Sequence, residues 1–401
     1  MDILERLYEM TAFEELFQNP WTLLMLSLAI ILLYLGIKKN YEPLLLVPIG
    51  FGVLLANFPG GNMAVIESNA ENNLMHLTLV EIAKDFGIMN MLYYALIKTG
   101  LLPPLIFMGV GAMTDFGPML RNLRLALFGA AAQIGIFSVL IMAILMGFTP
   151  KEAGALGIIG GADGPTAIYT SIVLAPHLLG PIAIAAYSYM ALVPVIIPLV
   201  VRFSTTKEEL KINMKQMDKL YPSQTIIKDV KKTKIIFPIM LVILVSLLVP
   251  SAVPLVGMLL FGNLIKEVGQ QTSRLFQAAS ETIMNSATIF LGLTVGATMT
   301  VDTFLNSKTL MIVFGGFIAF AISILGGILA VKCYNLFVKK KINPLIGATG
   351  LSAVPMASRV ANDIALKHDP SNHLLQYAMS SNISGVIGSA VAAGVLISFL
   401  S

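Results

Sequence analysis

Long apolar stretches recur from one end of this chain to the other, and no other feature constrains its fold as strongly. Ten of them lie between residues 22 and 400, and 56% of all residues are hydrophobic while 12% are charged. Soluble domains carry roughly 25% charged residues, and a helix needs about 20 apolar residues to cross the lipid core. The pattern predicts an all-α polytopic membrane protein with about ten transmembrane helices.

The opening "MDILERLYEM" is acidic where a secretory signal would be basic, so no cleaved signal peptide is expected. Apolar side chains interrupted by glutamates over residues 1–20 predict an amphipathic segment at the membrane interface. The single cysteine, Cys333, excludes an intrachain disulfide.

A polar loop at about 204–234 divides the apolar sequence into a first membrane repeat, 21–203, and a second, 235–401. Lysines crowd this basic loop, and "KKK" at 339–341 forms a second cluster. Because Lys and Arg collect in cytoplasmic loops, we expect both clusters inside the cell. The loop lacks interleaved aromatic residues, which favours a tether or a landing surface for a soluble partner over nucleic-acid binding.

The two repeats share four short motifs in the same order. "VPIGFGVLLAN" (47–57) resembles "VPLVGMLLFGN" (253–263), and "VGAMTDF" (110–116) resembles "VGATMTVDTF" (295–304). "IIGGADGPTAI" (158–168) resembles "LIGATGLSAVP" (345–355), and "SYMALV" (188–193) lies where "SNISGV" (381–386) recurs. A duplicated unit explains this order. With both basic clusters inside, the repeats run in opposite senses through the membrane and the C-terminus faces outward.

Each repeat contains a segment that cannot continue a helix, "GGADGPT" (160–166) and "NPLIGATGLSAVP" (343–355). In a helix interior glycine costs about 1 kcal/mol and proline about 3 relative to alanine. Unwound backbone is tolerated at membrane depth only where protein, water or ions satisfy it. Interrupted segments at matching positions of inverted repeats are typical of a substrate or ion site near the bilayer midplane. We therefore expect a re-entrant segment in each repeat.

Asp163 is the carboxylate of the first interrupted segment, and an acidic group at membrane depth marks a functional site by default. Neutral oxygens follow later in the chain, on Asn343, Thr349, Ser352 and Asn382. One carboxylate with several neutral oxygens suits sodium, a hard monovalent cation. Two alternatives remain: Asp163 caps a half-helix or pairs with a buried base, and small residues such as Ser389 only permit close helix packing.

Two other polar residues are ambiguous. Tyr189 lies within an apolar segment, where its hydroxyl either makes a structural hydrogen bond or moves a proton. Arg359 lies near the expected cytoplasmic boundary and is either a topology anchor or a fork that binds a carboxylate. The four histidines lack metal-binding spacing and there is no nucleotide fingerprint, so neither a transition-metal site nor an ATP-driven pump is expected.

With "GGADGPTAIYTS", "AAYSYMALVP", "INPLIGATGLSAVPMASR" and "SNISGVIGSAVAAGV" in this order, nearly the whole chain resembles one family. That family is the membrane beta subunit of the sodium-pumping, biotin-dependent decarboxylases of oxaloacetate, methylmalonyl-CoA, glutaconyl-CoA and malonate. The resemblance implies that the subunit receives carboxybiotin, releases carbon dioxide, consumes a proton and exports sodium from a bacterial or archaeal cytoplasmic membrane.

The family's functional residues fall on this chain without substitution. The resemblance implies catalytic roles for Asp163, Tyr189 and Arg359, carboxybiotin contacts for Tyr189 and Arg359, and a sodium site that includes Asp163. Its other sodium residues fall on Asn343, Ser352 and Asn382, and Gly347 matches the family's glycine of the second motif.

The resemblance also implies partners: a biotin carrier, a carboxyltransferase, a small membrane-anchor subunit and a homotrimeric core in the lipid bilayer. The carboxybiotin would be attached to the carrier, because no biotin-acceptor lysine motif occurs here. The alternative from the residues alone is a stand-alone sodium-coupled secondary transporter, since inverted repeats and a midplane aspartate occur in many such folds.

Overall fold

A computed structural model of the chain describes residues 8, 11–40, 42–66, 74–221, 229–353 and 356–401. Within these ranges every regular element is a helix. The helices before the basic loop are α1 (Phe13–Gln18), α2 (Pro20–Ile37), α3 (Pro43–Ala56), α4 (Leu79–Phe86), α5 (Ile88–Leu92), α6 (Leu102–Met113), α7 (Gly117–Arg121), α8 (Leu123–Ala132), α9 (Ile134–Leu145), α10 (Pro150–Gly157), α11 (Gly164–Leu174) and α12 (Leu179–Ser204).

The remaining helices belong to the basic loop and the second half. They are α13 (Lys207–Leu210), α14 (Met214–Leu220), α15 (Val230–Leu248), α16 (Val253–Val268), α17 (Ser273–Gln277), α18 (Met284–Ala297), α19 (Val301–Phe304), α20 (Ser307–Phe337), α21 (Leu345–Ala348), α22 (Met356–His368) and α23 (Leu375–Leu400).

Five helices of the described ranges are long and apolar enough to cross a membrane, or up to seven if each of two bent pairs is one span. The bent pairs are Ile88–Ile97 with Leu102–Met113, and Pro176–Met190 with Leu192–Ser204, each bent by 66°. The predicted all-helical, multi-pass membrane architecture is confirmed, but the predicted ten spans are not. The count is lower because several apolar stretches form helices that are bent or, like Pro43–Ala56, too short to cross alone.

The N-terminal segment predicted at the membrane interface lies mostly outside the described residues, and its described helical part is α1. The basic loop has structure of its own, because α13 and α14 pack against the second half. Asn213 of this loop donates to Asp369 Oδ2 at 3.0 Å, and Lys340 pairs with Asp218 at 2.7 Å. Residues 222–228 lie outside the described ranges.

Four of the most extensive helix packings join the two halves of the chain. They pair α3 with α18, α6 with α16, α8 with α23 and α12 with α20. Two similar hydrogen bonds fasten the first two pairs. Asn57, just after α3, donates to the carbonyl of Met299 at 2.7 Å, and Asn263 in α16 donates to the carbonyl of Thr114 at 2.8 Å.

A backbone contact fixes the second interrupted segment against α20. A Cβ built on Gly327 would lie 2.1 Å from the carbonyl oxygen of Gly347, and a Cβ on Gly347 would lie 2.0 Å from that of Gly327. Real Cβ atoms do not approach so closely, so both positions require glycine. This contact sets the position from which the second segment reaches the site.

Candidate functional site

The first broken segment joins α10 to α11 and carries Asp163. After α10, residues Ile158–Gly161 form a single 3₁₀ turn, and Ala162 then adopts a left-handed conformation with φ of 56°. A residue with a side chain is disfavoured there by about 1 to 2 kcal/mol. The turn makes Asp163 the N-cap of α11. The helix interruption predicted in "GGADGPT" is confirmed.

The second broken segment begins with α21, a helix of only 4 residues, and continues as irregular backbone to Ser352. The N–H of Ser352 donates to the carbonyl of Gly161 at 3.0 Å. The two broken segments therefore touch two residues before Asp163, although they are far apart in sequence. Residues 354 and 355, which follow, lie outside the described ranges.

The carboxylate of Asp163 is buried at this contact, with 3% of the residue exposed. Its Oδ2 accepts hydrogen bonds from Ser352 Oγ at 2.8 Å and from Ser389 Oγ at 2.6 Å. Its Oδ1 accepts the N–H of Thr166 at 3.2 Å, a helix-capping bond, and the positive end of α11 favours the ionised carboxylate. Asp163 therefore does cap α11, as one of the alternatives proposed, but the cap uses only Oδ1 of the two carboxylate oxygens.

Within the described ranges, no Lys, Arg or His lies within ion-pair distance of Asp163. A buried anion without a cationic partner is unfavourable. Hydroxyl and backbone donors offset part of that cost but leave the negative charge itself uncompensated. The surroundings of Asp163 are therefore suited to receive a cation.

Protein donors satisfy several carbonyls that the interruptions release. Ser323 Oγ donates to the carbonyl of Gly160 at 2.5 Å. The amide nitrogen of Asn382 donates to the carbonyls of Thr349 at 3.1 Å and Leu351 at 2.5 Å. Asn382 thus contacts the second broken segment, and its nitrogen supports the backbone while its oxygen remains free.

Several buried oxygens near the two segments have no hydrogen-bond partner among the described residues. They are Gln133 Oε1, Thr166 Oγ1, Tyr187 OH, Ser381 Oγ and Asn382 Oδ1. An unsatisfied buried polar group costs about 1 to 3 kcal/mol, so such oxygens call for a water or a cation. Neutral oxygens beside one carboxylate form a donor set that fits sodium as a transported substrate.

Gln133 occupies the junction between α8 and α9 and is oriented by its nitrogen. Nε2 donates to the carbonyls of Gly129 at 3.0 Å and Gly385 at 3.3 Å. A flipped amide would place its oxygen against these carbonyls, so the orientation is determined by the network. Oε1 faces the first broken segment, 3.6 Å from the position of a Cβ on Gly161.

Asn343 does not join Asp163 in this arrangement. Its Nδ2 donates to the carbonyls of Leu210 and Ile212, each at 3.0 Å, and its Oδ1 accepts the N–H of Leu345 at 3.0 Å. These bonds fasten the basic loop to the start of the second broken segment. They give Asn343 a positioning role, and its sodium ligation stays a prediction without support from these contacts.

Replacing Asn343 with alanine should therefore lower stability more than sodium affinity. Three hydrogen bonds would be lost, at about 1 kcal/mol each, so the free energy of unfolding should fall by roughly 2 to 3 kcal/mol. The measurement is thermal unfolding of the detergent-solubilised protein with and without sodium. Unchanged unfolding without sodium, combined with lost protection by sodium, would instead make Asn343 a ligand.

Tyr189 and Arg359 also make no hydrogen bond or ion pair with Asp163 among the described contacts. The hydroxyl of Tyr189 donates to the carbonyl of Val313 in α20, and its ring packs on Phe320 with centroids 5.7 Å apart. Of the two alternatives for Tyr189, a structural hydrogen bond or movement of a proton, this conformation shows the structural hydrogen bond. Arg359 is exposed on α22.

The contacts of Asp163 include residues for which no site role was predicted from the sequence. Ser389 lies seven residues after Asn382, two helical turns along one face of α23, and this spacing is a usable signal. Tyr187 packs beside Asp163, whereas Tyr189, two residues later, points to another side of α12. Sequence alone cannot choose between them, because both tyrosines lie in an equally apolar helix.

Comparison with known proteins places this geometry in a family. The family model for the Na+-transporting oxaloacetate decarboxylase beta subunit matches residues 21–400. The chain is 49% identical over 397 residues to the methylmalonyl-CoA decarboxylase subunit beta of Propionigenium modestum, covering 98% of this chain and 97% of that relative. It is 46% identical over 419 residues to the oxaloacetate decarboxylase beta chain 2 of Salmonella typhi, covering 94% of each.

A third relative is the methylmalonyl-CoA decarboxylase subunit beta of Veillonella parvula, 46% identical over 378 residues and covering 94% of this chain and 93% of that relative. These matches extend over both broken segments and all the residues that surround Asp163. The chain therefore belongs to the Na+-transporting oxaloacetate decarboxylase beta subunit family, as a multi-pass decarboxylase subunit of the bacterial cytoplasmic membrane.

Proposed function

We propose that this chain decarboxylates carboxybiotin presented by a biotin carrier protein, consumes a proton and couples the reaction to sodium export. The observation that carries the proposal is the buried carboxylate of Asp163 at the contact between two broken segments, without a cationic side chain beside it among the described residues. A site of this kind binds a cation or a proton in alternation, because either one compensates the same charge.

The sodium site of this proposal is built on Asp163, Ser352 and Asn382, with Ser389 added by its hydrogen bond to Oδ2. Hydroxyls that now donate to the carboxylate can rotate and present their lone pairs to an ion. The free oxygen of Asn382 supports its inclusion. Asn343 acts at a distance by holding the second segment in place.

The carboxybiotin site lies on the solvent side of the sodium site and uses Arg359. Its exposed guanidinium matches the planar, bidentate geometry of a carboxylate. Moving that carboxylate out of water weakens its stabilisation and favours loss of carbon dioxide once a proton reaches the ring nitrogen of biotin. Tyr189 serves as the proton relay after its bond to the carbonyl of Val313 opens.

The fold is organised as two inverted repeats, each with one re-entrant segment. The paired helix packings support this, because α3 and α16 carry one repeated motif while α6 and α18 carry another, and each packs on the opposite half. Asn57 and Asn263 end the first motif, and their carbonyl partners, Met299 and Thr114, lie within the second motif. The two hydrogen bonds are thus related as the repeats require.

In the proposed orientation the basic loop and residues 339–341 face the cytoplasm, whereas Ser401 faces outward. Single cysteines at the exposed positions Lys215, Lys341 and Ser401 test this in a Cys333→Ser background, because Cys333 is itself exposed. A membrane-impermeant maleimide should label position 401 in intact cells and the other two only after permeabilisation. Labelling of position 215 in intact cells would reverse the orientation.

The chain acts within a multi-subunit complex, and the proposed partners are a biotin carrier, a carboxyltransferase and a small membrane-anchor subunit around a homotrimeric core. The carboxyltransferase selects the acyl substrate, which is oxaloacetate or methylmalonyl-CoA in the named relatives. The chain itself then handles only carboxybiotin, a proton and sodium.

The decisive experiment reconstitutes the chain in liposomes, adds carboxylated carrier, and follows carbon dioxide release and sodium uptake together. We expect both to start with the carrier and to stop together when sodium or the carrier is omitted. Sodium uptake driven by a solute gradient, without carrier and without carbon dioxide release, would instead indicate a stand-alone secondary transporter.

A further inference from the structure

The two oxygens of Asp163 have different surroundings. Oδ2 accepts two short hydrogen bonds, from the hydroxyls of Ser352 at 2.8 Å and Ser389 at 2.6 Å. Among the described residues, Oδ1 accepts the longer hydrogen bond from the N–H of Thr166 at 3.2 Å. The two serines therefore hold Oδ2 in place, while Oδ1 can still accept further hydrogen bonds or contact a cation.

Two buried hydroxyls without a hydrogen-bond partner among the described residues lie near Asp163. Thr166 is fully buried, its N–H reaches Oδ1, and its Oγ1 lies near the same carboxylate without forming a hydrogen bond of good geometry to any described residue. Tyr187 is 1% exposed, and its hydroxyl has no partner among the described residues. Both oxygens are too deeply buried to be satisfied by bulk solvent.

Gly164 brings Tyr187 close to the carboxylate. A Cβ at Gly164 would lie 2.3 Å from Cε1 and 2.7 Å from Cζ of the Tyr187 ring, and Cζ bears the hydroxyl. The hydroxyl end of the ring thus rests on the residue that follows Asp163. Any side chain at this position would push the tyrosine away, so the glycine is explained by the approach of Tyr187.

We propose that Asp163 Oδ1, Thr166 Oγ1 and Tyr187 OH form one face of the cation site, in addition to the oxygens of Ser352 and Ser389 that contact Oδ2. The proposal rests on the proposed function and deepens it by assigning two ligands. A small hard cation takes carboxylate and hydroxyl oxygens together. It would satisfy both unpartnered hydroxyls and compensate the buried charge in one step.

In this proposal Tyr187 and Tyr189 have different roles on two sides of α12. The hydroxyl of Tyr189 is already engaged with the carbonyl of Val313. That of Tyr187 is free and lies beside the site. Ion binding belongs to Tyr187, and the proposed proton relay remains with Tyr189.

The test compares Thr166→Val and Tyr187→Phe with Thr170→Val in the solubilised complex. Thr170 is a matched control, because it is also fully buried in α11 but its hydroxyl already donates to the carbonyl of Thr166 at 2.8 Å. The readouts are the sodium concentration that gives half-maximal decarboxylation, the maximal rate, and thermal unfolding with and without sodium. Thr166→Ser, which keeps the hydroxyl, tests rescue.

We expect Thr166→Val and Tyr187→Phe each to raise the half-saturating sodium concentration about tenfold, equivalent to about 1.4 kcal/mol. Unfolding without sodium should stay near that of the wild type, because neither hydroxyl makes a hydrogen bond of good geometry to another described residue. Thr166→Ser should bind sodium almost normally, and Thr170→Val should match the wild type in sodium affinity.

Normal sodium affinity in both hydroxyl-deleted variants would overturn the assignment. If both hydroxyl-deleted variants bind sodium normally but Asp163→Asn loses sodium dependence in the same assays, only the assignment of Thr166 and Tyr187 as ligands is wrong. If Asp163→Asn also kept it, the proposed function would fail as well. A large loss of stability without sodium, in step with the loss of sodium affinity, would make the two hydroxyls structural and equally overturn the proposal.

Discussion

Asp163→Asn should abolish sodium-dependent protection of the protein and reduce carbon dioxide release more than 100-fold. The substitution keeps the shape and one oxygen but removes the charge that compensates a cation in a buried site. Removing one partner of a buried charge pair costs about 3 to 5 kcal/mol, and each 1.4 kcal/mol is a factor of ten in affinity. Raising the pH should not rescue the variant, because the amide has no proton to exchange in this range.

The measurement is sodium-dependent decarboxylation by the solubilised complex, with assembly checked by co-purification of the biotin carrier. Asp302→Asn serves as a control, since Asp302 is an exposed carboxylate outside the site. Asp163→Glu should be nearly as damaging, because the longer side chain must fit beside Gly164, where the ring of Tyr187 already fills the space. An assembled Asp163→Asn protein with normal rate and sodium dependence would leave Asp163 as a helix cap only.

Gly327→Ala should destabilise the protein severely, whereas Gly315→Ala in the same helix should not. The new methyl at residue 327 would overlap the carbonyl of Gly347, and a backbone cannot rotate away as a side chain can. Overpacking in a well-packed interior costs typically about 1 to 3 kcal/mol, and we expect at least the upper end here. The second broken segment, and Ser352 with it, would be displaced from Asp163.

The comparison is made by thermal unfolding and by sodium protection in detergent. No atom of the described residues lies within 4 Å of a Cβ on Gly315, so alanine there should be neutral or stabilising by up to about 1 kcal/mol through its higher helix propensity. Gly347→Ala should behave like Gly327→Ala, because the approach is reciprocal. Equal stability of the Gly327 and Gly315 variants would refute the close backbone contact.

The sequence identified the interruption at Asp163 because glycine and proline report locally on backbone conformation. Matching interruptions in two repeats imply a meeting point, so they led to the expectation that Ser352 lies near Asp163. Asn382 was named only as a neutral oxygen on a following helix and through the family resemblance. Helix bounds were equally accessible, since hydropathy changes sharply at most ends of the apolar stretches. The number of spans could not be predicted in this way, because hydropathy does not show where a helix bends or where it is too short to cross the membrane.

The rotational position of each side chain was beyond the sequence. The choice between Tyr187 and Tyr189 depends on which helix packs against each side of α12. Two of the three hydrogen bonds of Asn343 depend on partners more than 130 positions away in the chain, in a loop whose composition predicts a tether or a landing surface. Such long-range partners leave no local trace in a single sequence.

The packing of each half upon the other has a consequence for how the chain is made. When residues of the first half leave the ribosome, α3, α6, α8 and α12 enter the bilayer before their partners in the second half have been synthesised. Until the second half is synthesised, only lipid covers the helix surfaces of the first half that will later contact it. Two fragments divided within the basic loop should accordingly accumulate when expressed together, whereas either one expressed alone should be degraded.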